Sequence, residues 1–136
     1  MAKLMRPDLP DALELSRSGP DVVLAVPGTH LQQVLINLLR NASRAAAASP
    51  PDGARPAVTV TLSVIGSAAL LAVADNGSGI PADLLPQLFV PFSSRSPGGT
   101  GLGLATVRRL AELYGGRAWA ENASRGARFL VELPLA

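Results

Sequence analysis

The sequence predicts a mixed, mostly antiparallel β-sheet covered on one face by helices. Strand-like and helix-like segments alternate along the chain instead of forming separate blocks, which is typical of an α/β arrangement. Between residues 58 and 64, Val and Leu alternate with Thr and Ser, so one face of this strand is covered and the other is wetter. The 136 residues show no internal repeat and are enough for one compact domain, with residues 1–10 as a loose lead-in.

The first helix is predicted from about His30 to Ala47, with Thr29 as its N-cap. Its apolar residues recur at helical spacing and form one stripe. These residues are Leu31, Val34, Leu35, Leu38, Leu39 and Ala42.

Two further helices are predicted later in the chain. A short one covers Pro81 to Phe89 and is limited by Pro86, which cannot donate a helical hydrogen bond. A longer amphipathic helix covers Leu102 to Tyr114, and the pair Gly115-Gly116 ends it in the manner of a C-cap. The segment from Phe92 to Gly103 lacks periodicity and is predicted to be a loop.

Strands are predicted where apolar or alternating runs lie between turn residues. The first two are expected to form a strand pair around a Ser-Gly-Pro-Asp turn, and the fourth, which is apolar throughout, is expected to be central. The predicted strands are residues 12–15, 22–26, 58–64, 68–74, 117–122 and 127–133.

Composition excludes several functional classes. The net charge is only +2, from 12 basic and 10 acidic residues, so a nucleic-acid partner is not expected. The absence of cysteine excludes disulfides and thiolate metal sites and fits a reducing compartment. No apolar run is long enough to span a membrane, and the N-terminus does not resemble a signal peptide. We therefore expect a cytoplasmic domain that makes no membrane contact.

Asp75 is a carboxylate at the end of an apolar strand. The triplet Asp75-Asn76-Gly77 could simply form a hairpin turn. However, it is followed by Ser-Gly-Ile-Pro and a helical pattern, and not by a second alternating strand. A carboxylate here could accept a hydrogen bond from an exocyclic amino group such as that of adenine. Gly77 and Gly79 would let the backbone turn sharply beside a flat ring.

The glycine run from Gly98 to Gly103 opens directly into the predicted helix at residue 102. It could be a flexible linker. Alternatively, the free N–H groups and the dipole at a helix N-terminus form an anion site that suits phosphates. The run is neither a Walker A loop nor a G-x-G-x-x-G fingerprint.

Polar residues lie together beside the apolar stripe of the first helix, at positions 33, 37, 41 and 44. A buried Asn is often a satisfied structural amide. The carbonyl oxygen of Asn41 is also a hard ligand suited to Mg²⁺, which keeps substrate phosphates in its shell. Arg44, close to one turn on, could contact a phosphate or lie in solvent. Together with Asp75 and the glycine run, these residues predict a site for a Mg-bound nucleotide.

Four segments in order resemble the motifs of one known family. They are residues 31–42 (LQQVLINLLRNA), 75–80 (DNGSGI), 88–92 (LFVPF) and 99–105 (GTGLGLA). They resemble the N, G1, F and G2 boxes of the ATP-binding catalytic domain of two-component sensor histidine kinases. That family belongs to the group that also holds gyrase, Hsp90 and MutL. The resemblance covers residues 12–134.

The resemblance implies a Bergerat-type ATP-binding fold, an α/β sandwich in which a five-stranded mixed, mostly antiparallel sheet has three helices packed on one face. It implies that Asp75 reads the adenine amino group, that Asn41 holds Mg²⁺, that Asn37 assists beside the phosphates, and that residues 93–98 form a lid. The residues that it places at the nucleotide are Asn37, Asn41, Arg44, Asp75, Gly77, Gly79, Ile80, Phe92, Arg95, Gly99, Thr100, Gly101, Leu102, Gly103 and Leu104.

The chain departs from the family pattern at several positions. Pro27 stands where Asp is often found, Val90 where Glu is often found, and Arg44 where Lys is frequent. The lid has Ser93-Ser94-Arg95 where Thr-Thr-Lys is common, so Arg95 is expected to take over the phosphate contact of the lysine. None of these changes removes the predicted adenine ligand or Mg²⁺ ligand.

Asn37 distinguishes between activities within the group. In the ATP-hydrolysing relatives and the anti-sigma serine kinases, a Glu at this position acts as general base, which an amide cannot do. A neutral histidine acceptor needs less help, because its unprotonated nitrogen already carries a lone pair. Asn37 therefore favours phosphoryl transfer to histidine. A degenerate nucleotide-binding regulatory module and an anti-sigma-type serine kinase are the alternatives.

The expected phosphoacceptor is a histidine on a separate dimerisation domain of the parent kinase, with a response regulator receiver domain as the indirect partner. The chain's own His30 is followed by Leu31 and not by the usual acidic residue, so it is interpreted as a surface histidine. We expect that the dimerisation and phosphoacceptor domain is absent and that the fragment does not phosphorylate itself. An inner-membrane sensor is one option for the parent protein.

Overall fold

The computed structural model describes residues 14–48, 55–91 and 102–136. In chain order the elements are β1 (Glu14–Ser18), α1 (Gly28–Ala48), β2 (Ala57–Ile65), β3 (Ala68–Asp75), a single 3₁₀ turn (Leu85–Gln87), α2 (Gly103–Leu113), β4 (Arg117–Asn122) and β5 (Ala127–Pro134). The predicted lead-in, and residues 92–101 of the predicted loop, lie outside the described residues.

The sheet has the strand order β1-β2-β3-β5-β4. The neighbours β2, β3, β5 and β4 are all antiparallel, and β1 joins the outer side of β2 in parallel. The apolar strand β3 is central, as its composition predicts. Its last residue, Asp75, lies opposite Val58 near the start of β2.

The core lies between one face of the sheet and the two described α-helices, which pack against each other and against the strands. It is formed by the alternating apolar residues of the strands and by the stripes of α1 and α2. The most deeply buried large side chains are Leu38, Leu133, Val34, Val58, Val73, Val107 and Val131. Asp75 alternates in register with Val73 and Leu71, so its side chain lies on the helix-covered face. The predicted α/β sandwich is confirmed.

The predicted pairing of the first two strands, residues 12–15 and 22–26, was wrong. Residues 22–26 form no strand, and Leu24 makes only an isolated bridge to Leu135. The predicted strand pair is absent among the described residues because β1 pairs instead with β2, with Glu14 opposite Ala57. Turn residues between two apolar runs indicate that the chain bends, but they do not specify which strand is the partner.

Two helix details also differ from the prediction. Helix α1 begins at Gly28, so Thr29 lies inside it and is not the N-cap. The carbonyl of Pro27 instead accepts the first hydrogen bonds, from the N–H groups of His30 and Leu31, both at 3.0 Å. The short helix predicted over residues 81–89 is not formed. This segment contains only turns and the single 3₁₀ turn, because Pro86 has no N–H with which to continue the helical hydrogen bonds.

The end of α2 confirms the predicted glycine C-cap. Gly115 adopts a left-handed φ of 80°. Its N–H donates to Glu112 O at 3.1 Å, and the N–H of Gly116 donates to Ala111 O at 2.8 Å, which is the Schellman pattern. Within the described residues, no helix is both long and apolar enough to cross a membrane.

Candidate functional site

Asp75 is a buried carboxylate that keeps one oxygen unpaired. The residue is only 5% exposed. Its Oδ1 accepts a hydrogen bond from the N–H of Gly77 at 2.9 Å. Its Oδ2 is fully buried and has no hydrogen-bond partner among the described residues. A buried polar atom without a partner is costly, so such an atom in a native fold indicates a strained or functional position.

The electrostatics of Asp75 follow from this burial. Burial raises the pKa of the Asp75 carboxyl above its ordinary value, and backbone hydrogen bonds from Gly77 and Ala127 oppose the shift. The free protein therefore maintains an ionisable acceptor at a cost in stability. A ligand that donates a hydrogen bond to Oδ2 would offset part of that cost.

The segment after β3, residues 76–80, is called the Asp75 loop, and two asparagine side chains hold it in place. Asn76 ties it to the start of β2, because its Oδ1 accepts from the N–H of Ala57 and its Nδ2 donates to Arg55 O, both at 2.9 Å. Asn122, at the end of β4, binds both backbone groups of Ile80. The sequence-based predictions did not assign a role to either amide.

Two glycines allow other backbone segments to approach this loop. A Cβ at Gly77 would lie 2.5 Å from Ala45 O on α1. A Cβ at Gly126, in the turn between β4 and β5, would lie 2.0 Å from the backbone oxygen of Asp75. Both distances are too short for any side chain, so Gly77 and Gly126 set the contacts of Asp75 with α1 and with the turn. The requirement at Gly126 was also missed from the sequence.

One face of α1 connects the Asp75 loop to the start of α2. Asn37, Asn41 and Ala45 are spaced four residues apart and therefore lie along one side of the helix. Ala45 contacts Gly77, as described above. At the other end, the amide carbon and oxygen of Asn37 lie 3.7 Å from the position of a Cβ on Gly103. Asn41 lies between these two contacts and is half-buried.

The Asp75 loop, Asn41 and Asn37 on α1, and the first residues of α2 follow one another in a row. No described side chain caps the helix start. The first N–H groups of a helix have no partner within the helix, so they can bind an anion. The row thus contains an acceptor at the β3 end, carboxamides along α1 and backbone donors at the start of α2. Two helical turns separate Asn37 from Ala45, which is about 12 Å along the axis.

Many of the residues that the sequence singled out therefore lie on the three elements that form this row, which are the end of β3 with the loop after it, helix α1 and the start of α2. These residues are Asn37, Asn41, Asp75, Gly77, Gly79, Ile80, Gly103 and Leu104. Leu102 is exposed just before α2, and Arg44 and Gln33 are exposed on α1. Phe92, Arg95, Gly99, Thr100 and Gly101 lie outside the described residues, so their predicted contacts stay predictions.

The fold and this row of groups define an α/β domain with a buried, unpaired hydrogen-bond acceptor at one end and a helix N-terminus without a side-chain cap at the other. The chain belongs to the family of histidine kinase-, DNA gyrase B-, and HSP90-like ATPases, whose profile matches residues 27–136. The family resemblance of the four motifs is confirmed, and with it the assignment as an ATP-binding catalytic domain of the histidine-kinase type.

Relatives in sequence are sensor kinases. The chain is 42% identical over 119 residues to the sensor protein FixL of Bradyrhizobium diazoefficiens, an alignment that covers 87% of this chain and 23% of FixL. It is 34% identical over 145 residues to the sensory histidine kinase/phosphatase NtrB of Klebsiella oxytoca, covering 99% of this chain and 41% of NtrB. The chain thus spans less than half the length of each of these relatives.

Solved structures of histidine kinases are also similar to this chain in fold. The catalytic domain of the histidine kinase ThkA superposes with a TM-score of 0.76 at 31% identity, covering 90% of this chain and 78% of that one. Full-length ShkA in complex with AMPPNP gives a TM-score of 0.77 at 30% identity, covering 91% of this chain and 26% of that one.

Proposed function

We propose that this domain binds Mg-ATP and transfers the γ-phosphate to a histidine on a separate dimerisation domain, as the catalytic part of a two-component sensor histidine kinase. A response regulator receiver domain would then be the indirect recipient. The observation that carries the proposal is the buried, unpaired Oδ2 of Asp75. The similarity to sensor kinases supports the phosphoryl acceptor class.

Asp75 suits the recognition of adenine. Its ionised carboxyl can only accept hydrogen bonds, and Oδ2 is the acceptor with which no described group pairs. Adenine offers an exocyclic amino group as a donor. Guanine presents a carbonyl oxygen at the corresponding position, which would repel the carboxylate. Asp75 would thus select the base, with Gly77, Gly79 and Ile80 as the adjoining wall.

Asn41 suits a Mg²⁺ ion that is shared with the nucleotide. The described residues contain no cluster of three or more His, Cys, Asp or Glu side chains. An ion held here would therefore take a carboxamide oxygen from Asn41 and its remaining ligands from phosphates and water, which is the usual pattern for Mg²⁺. When bound, the ion would neutralise the negative charge that phosphoryl transfer moves between oxygens.

The start of α2 suits the phosphates. Backbone N–H groups near Gly103 and Leu104 would donate to phosphate oxygens, and the helix dipole would add to the attraction. Asn37, whose amide lies beside Gly103, would help to position this end of the ligand. The set of backbone phosphate donors would also include Gly99, Thr100, Gly101 and Leu102. The phosphates would be contacted by Arg95 and Arg44. The site would be bordered by Phe92.

Asn37 also supports a kinase over a hydrolase. An amide cannot accept the proton of an attacking water or serine hydroxyl, whereas a neutral histidine already carries an available lone pair. Phosphoryl transfer then depends mainly on positioning and on stabilisation of charge. Asn37 and Asn41 would provide both without acting as a base.

Replacing Asn41 with Ala tests the role of Mg²⁺. In the wild type, we expect Mg²⁺ to raise the affinity for ATP by about tenfold, since it links the phosphates to a protein ligand. In Asn41→Ala, this difference should largely disappear, while the affinity for metal-free ATP should change little. Calorimetric titration with and without Mg²⁺ measures both. Gln32→Ala, an exposed change on the opposite side of the same helix, is the matched control. Equal affinities with and without Mg²⁺ in the wild type would favour a regulatory module that does not use the metal.

Slow consumption of ATP is a second expected result. Since Asn37 is not a base, we expect steady-state hydrolysis well below roughly 1 s⁻¹, the lower end for ordinary enzymes. Hydrolysis that persists in Asn41→Ala would come from a contaminant, so this variant sets the baseline. Faster turnover that depends on Asn41 would contradict the kinase assignment.

The chain should also not label its own histidine. Nδ1 of His30 lies 2.5 Å from the hydroxyl of Tyr114, and the two rings are 5.7 Å apart, so this side chain joins the start of α1 to the end of α2. Incubation with γ-labelled ATP should leave the wild type and His30→Gln equally unlabelled. Label that is present only in the wild type would identify His30 as an acceptor and overturn this part of the proposal.

A further inference from the structure

We propose that Asn122 is a positioning residue of the nucleotide site, although it lies 42 residues from the Asp75 loop in sequence. Its Oδ1 accepts from the N–H of Ile80 at 2.7 Å, and its Nδ2 donates to the carbonyl of Ile80 at 2.9 Å. One amide thus satisfies both backbone groups of the residue that ends the loop. The inference rests on the proposed function, because it names a residue that shapes the adenine end of that site.

The geometry of the loop explains why it needs such an anchor. Gly79 has a φ of 87°, so the backbone reverses direction immediately before Ile80. A Cβ on Gly79 would lie 3.0 Å from Oδ1 of Asn122, so the amide lies directly against this reversal. The side chain of Ile80 packs on the hydrophobic core. With the side chain held by the core and both backbone groups held by Asn122, the loop has one orientation relative to β4.

The turn between β4 and β5, which begins after Asn122, also holds Asp75. The turn after Asn122 is closed by a hydrogen bond from the N–H of Ala123 to Gly126 O at 3.1 Å. Gly126 lies against the backbone of Asp75, and the backbone of Ala127, the next residue, opposes the rise in the pKa of the Asp75 carboxyl. The β4–β5 turn therefore fixes both the acceptor and the opposite end of its loop. The side chain of Asn122 links this turn to Ile80 through hydrogen bonds to both backbone groups of Ile80.

This arrangement separates Asn122 from the phosphates. Asn122 touches the base end of the row, whereas Asn37 and Gly103 lie at the other end. Loss of the anchor should therefore weaken binding of any adenine ligand by the same factor, with or without phosphates. Loss of Asn41, in contrast, should affect only ligands that carry Mg²⁺ and phosphates.

The test is a calorimetric titration of the 136-residue chain with Mg-ATP and, separately, with ADP in the absence of metal. For Asn122→Ala, we expect an affinity about tenfold lower for both ligands, since two hydrogen bonds that order the loop are lost. Asn122→Asp keeps an acceptor for the Ile80 N–H and loses the donor, so its loss should be smaller. Ser124→Ala, an exposed change in the same turn, should bind like the wild type.

A second readout separates positioning from simple stabilisation. Amide hydrogen exchange of Ile80 should be slow in the nucleotide-free wild type and faster in Asn122→Ala, with core amides such as that of Val131 unchanged. If Asn122→Ala binds both ligands like the wild type, Asn122 is only structural and the inference fails. If Asn122→Ala does not fold, an unchanged affinity in Asn122→Asp has the same meaning. Absence of ATP binding by the wild type would instead overturn the proposed function itself.

Discussion

Replacing Asp75 with Asn should lower the affinity for ATP about 100-fold, the largest effect expected of any single polar substitution in this chain. A hydrogen bond to a charged acceptor contributes about 1.5–3 kcal/mol, and each 1.4 kcal/mol is a factor of ten in affinity. In the variant, the amide oxygen would still accept from the N–H of Gly77, so its NH₂ group would take the position of Oδ2. A donor would then face the adenine amino group. Calorimetric titration with Mg-ATP measures the loss.

The same substitution should stabilise the nucleotide-free protein at neutral pH. Because burial raises the pKa of Asp75 in the fold, ionisation of this carboxyl costs stability above its folded pKa. That cost disappears as the pH falls through the folded pKa toward the ordinary value of an unfolded aspartate. Asp75→Asn removes the ionisation, so its stability advantage over the wild type should be largest near pH 7 and should shrink on acidification. Urea denaturation at several pH values measures this trend.

Asp21→Asn is the matched control, because Asp21 is exposed and precedes α1. It removes the same formal charge and should not change the affinity for ATP. An Asp75→Asn variant that binds ATP like the wild type would show that Oδ2 does not contact the base. A variant that is less stable than the wild type at pH 7 would show that the two backbone hydrogen bonds outweigh the cost of burial.

The second large effect is expected from Gly126→Ala. The new Cβ would lie 2.0 Å from the backbone oxygen of Asp75 and 2.9 Å from its Oδ1, so the β4–β5 turn must move away from the end of β3. Gly126 also has a φ of 77°, where an alanine is strained. We expect a loss of about 2–4 kcal/mol in the free energy of unfolding, from strain and overpacking together. The affinity for ATP should fall as well, since Asp75 loses its fixed position.

Gly115→Ala separates the effect of backbone strain from the effect of overpacking. Its φ of 80° is nearly the same, but no described atom lies within 4 Å of the new Cβ. This variant should lose only about 1–2 kcal/mol from the left-handed backbone and should keep its affinity for ATP. Equal losses in the two variants would mean that the contact between Gly126 and Asp75 contributes nothing. Urea denaturation and ATP titration of both proteins provide the comparison.

Much of the fold follows from local patterns in the sequence. The period of the apolar residues predicts α1, α2 and β2, because each of these elements buries one regular face, and an uninterrupted apolar run predicts the central strand β3. The pairing of β1 was missed because strand partners depend on contacts between distant residues, which local turn residues do not report. The 3₁₀ turn at Leu85–Gln87 was overestimated as a helix because Leu84, Leu88 and Phe89 mimic helical spacing around a proline.

The candidate site was predictable where chemistry and local motif coincide. Asp75, Gly77, Asn37 and Asn41 lie in short segments whose residue types suit a nucleotide. Asn122 and Gly126 were missed for a physical reason. Their roles arise from the fold, which brings the β4–β5 turn against the end of β3, and no spacing in the sequence encodes that contact.

The most direct test of the central claim compares ATP with purine riboside triphosphate, which lacks only the 6-amino group. If Oδ2 of Asp75 accepts a hydrogen bond from that group, the wild type should bind ATP at least about tenfold more tightly than the analogue, as expected for loss of one hydrogen bond to a charged acceptor. Asp75→Asn should lose this preference. Equal affinities of the wild type for the two nucleotides would contradict the account.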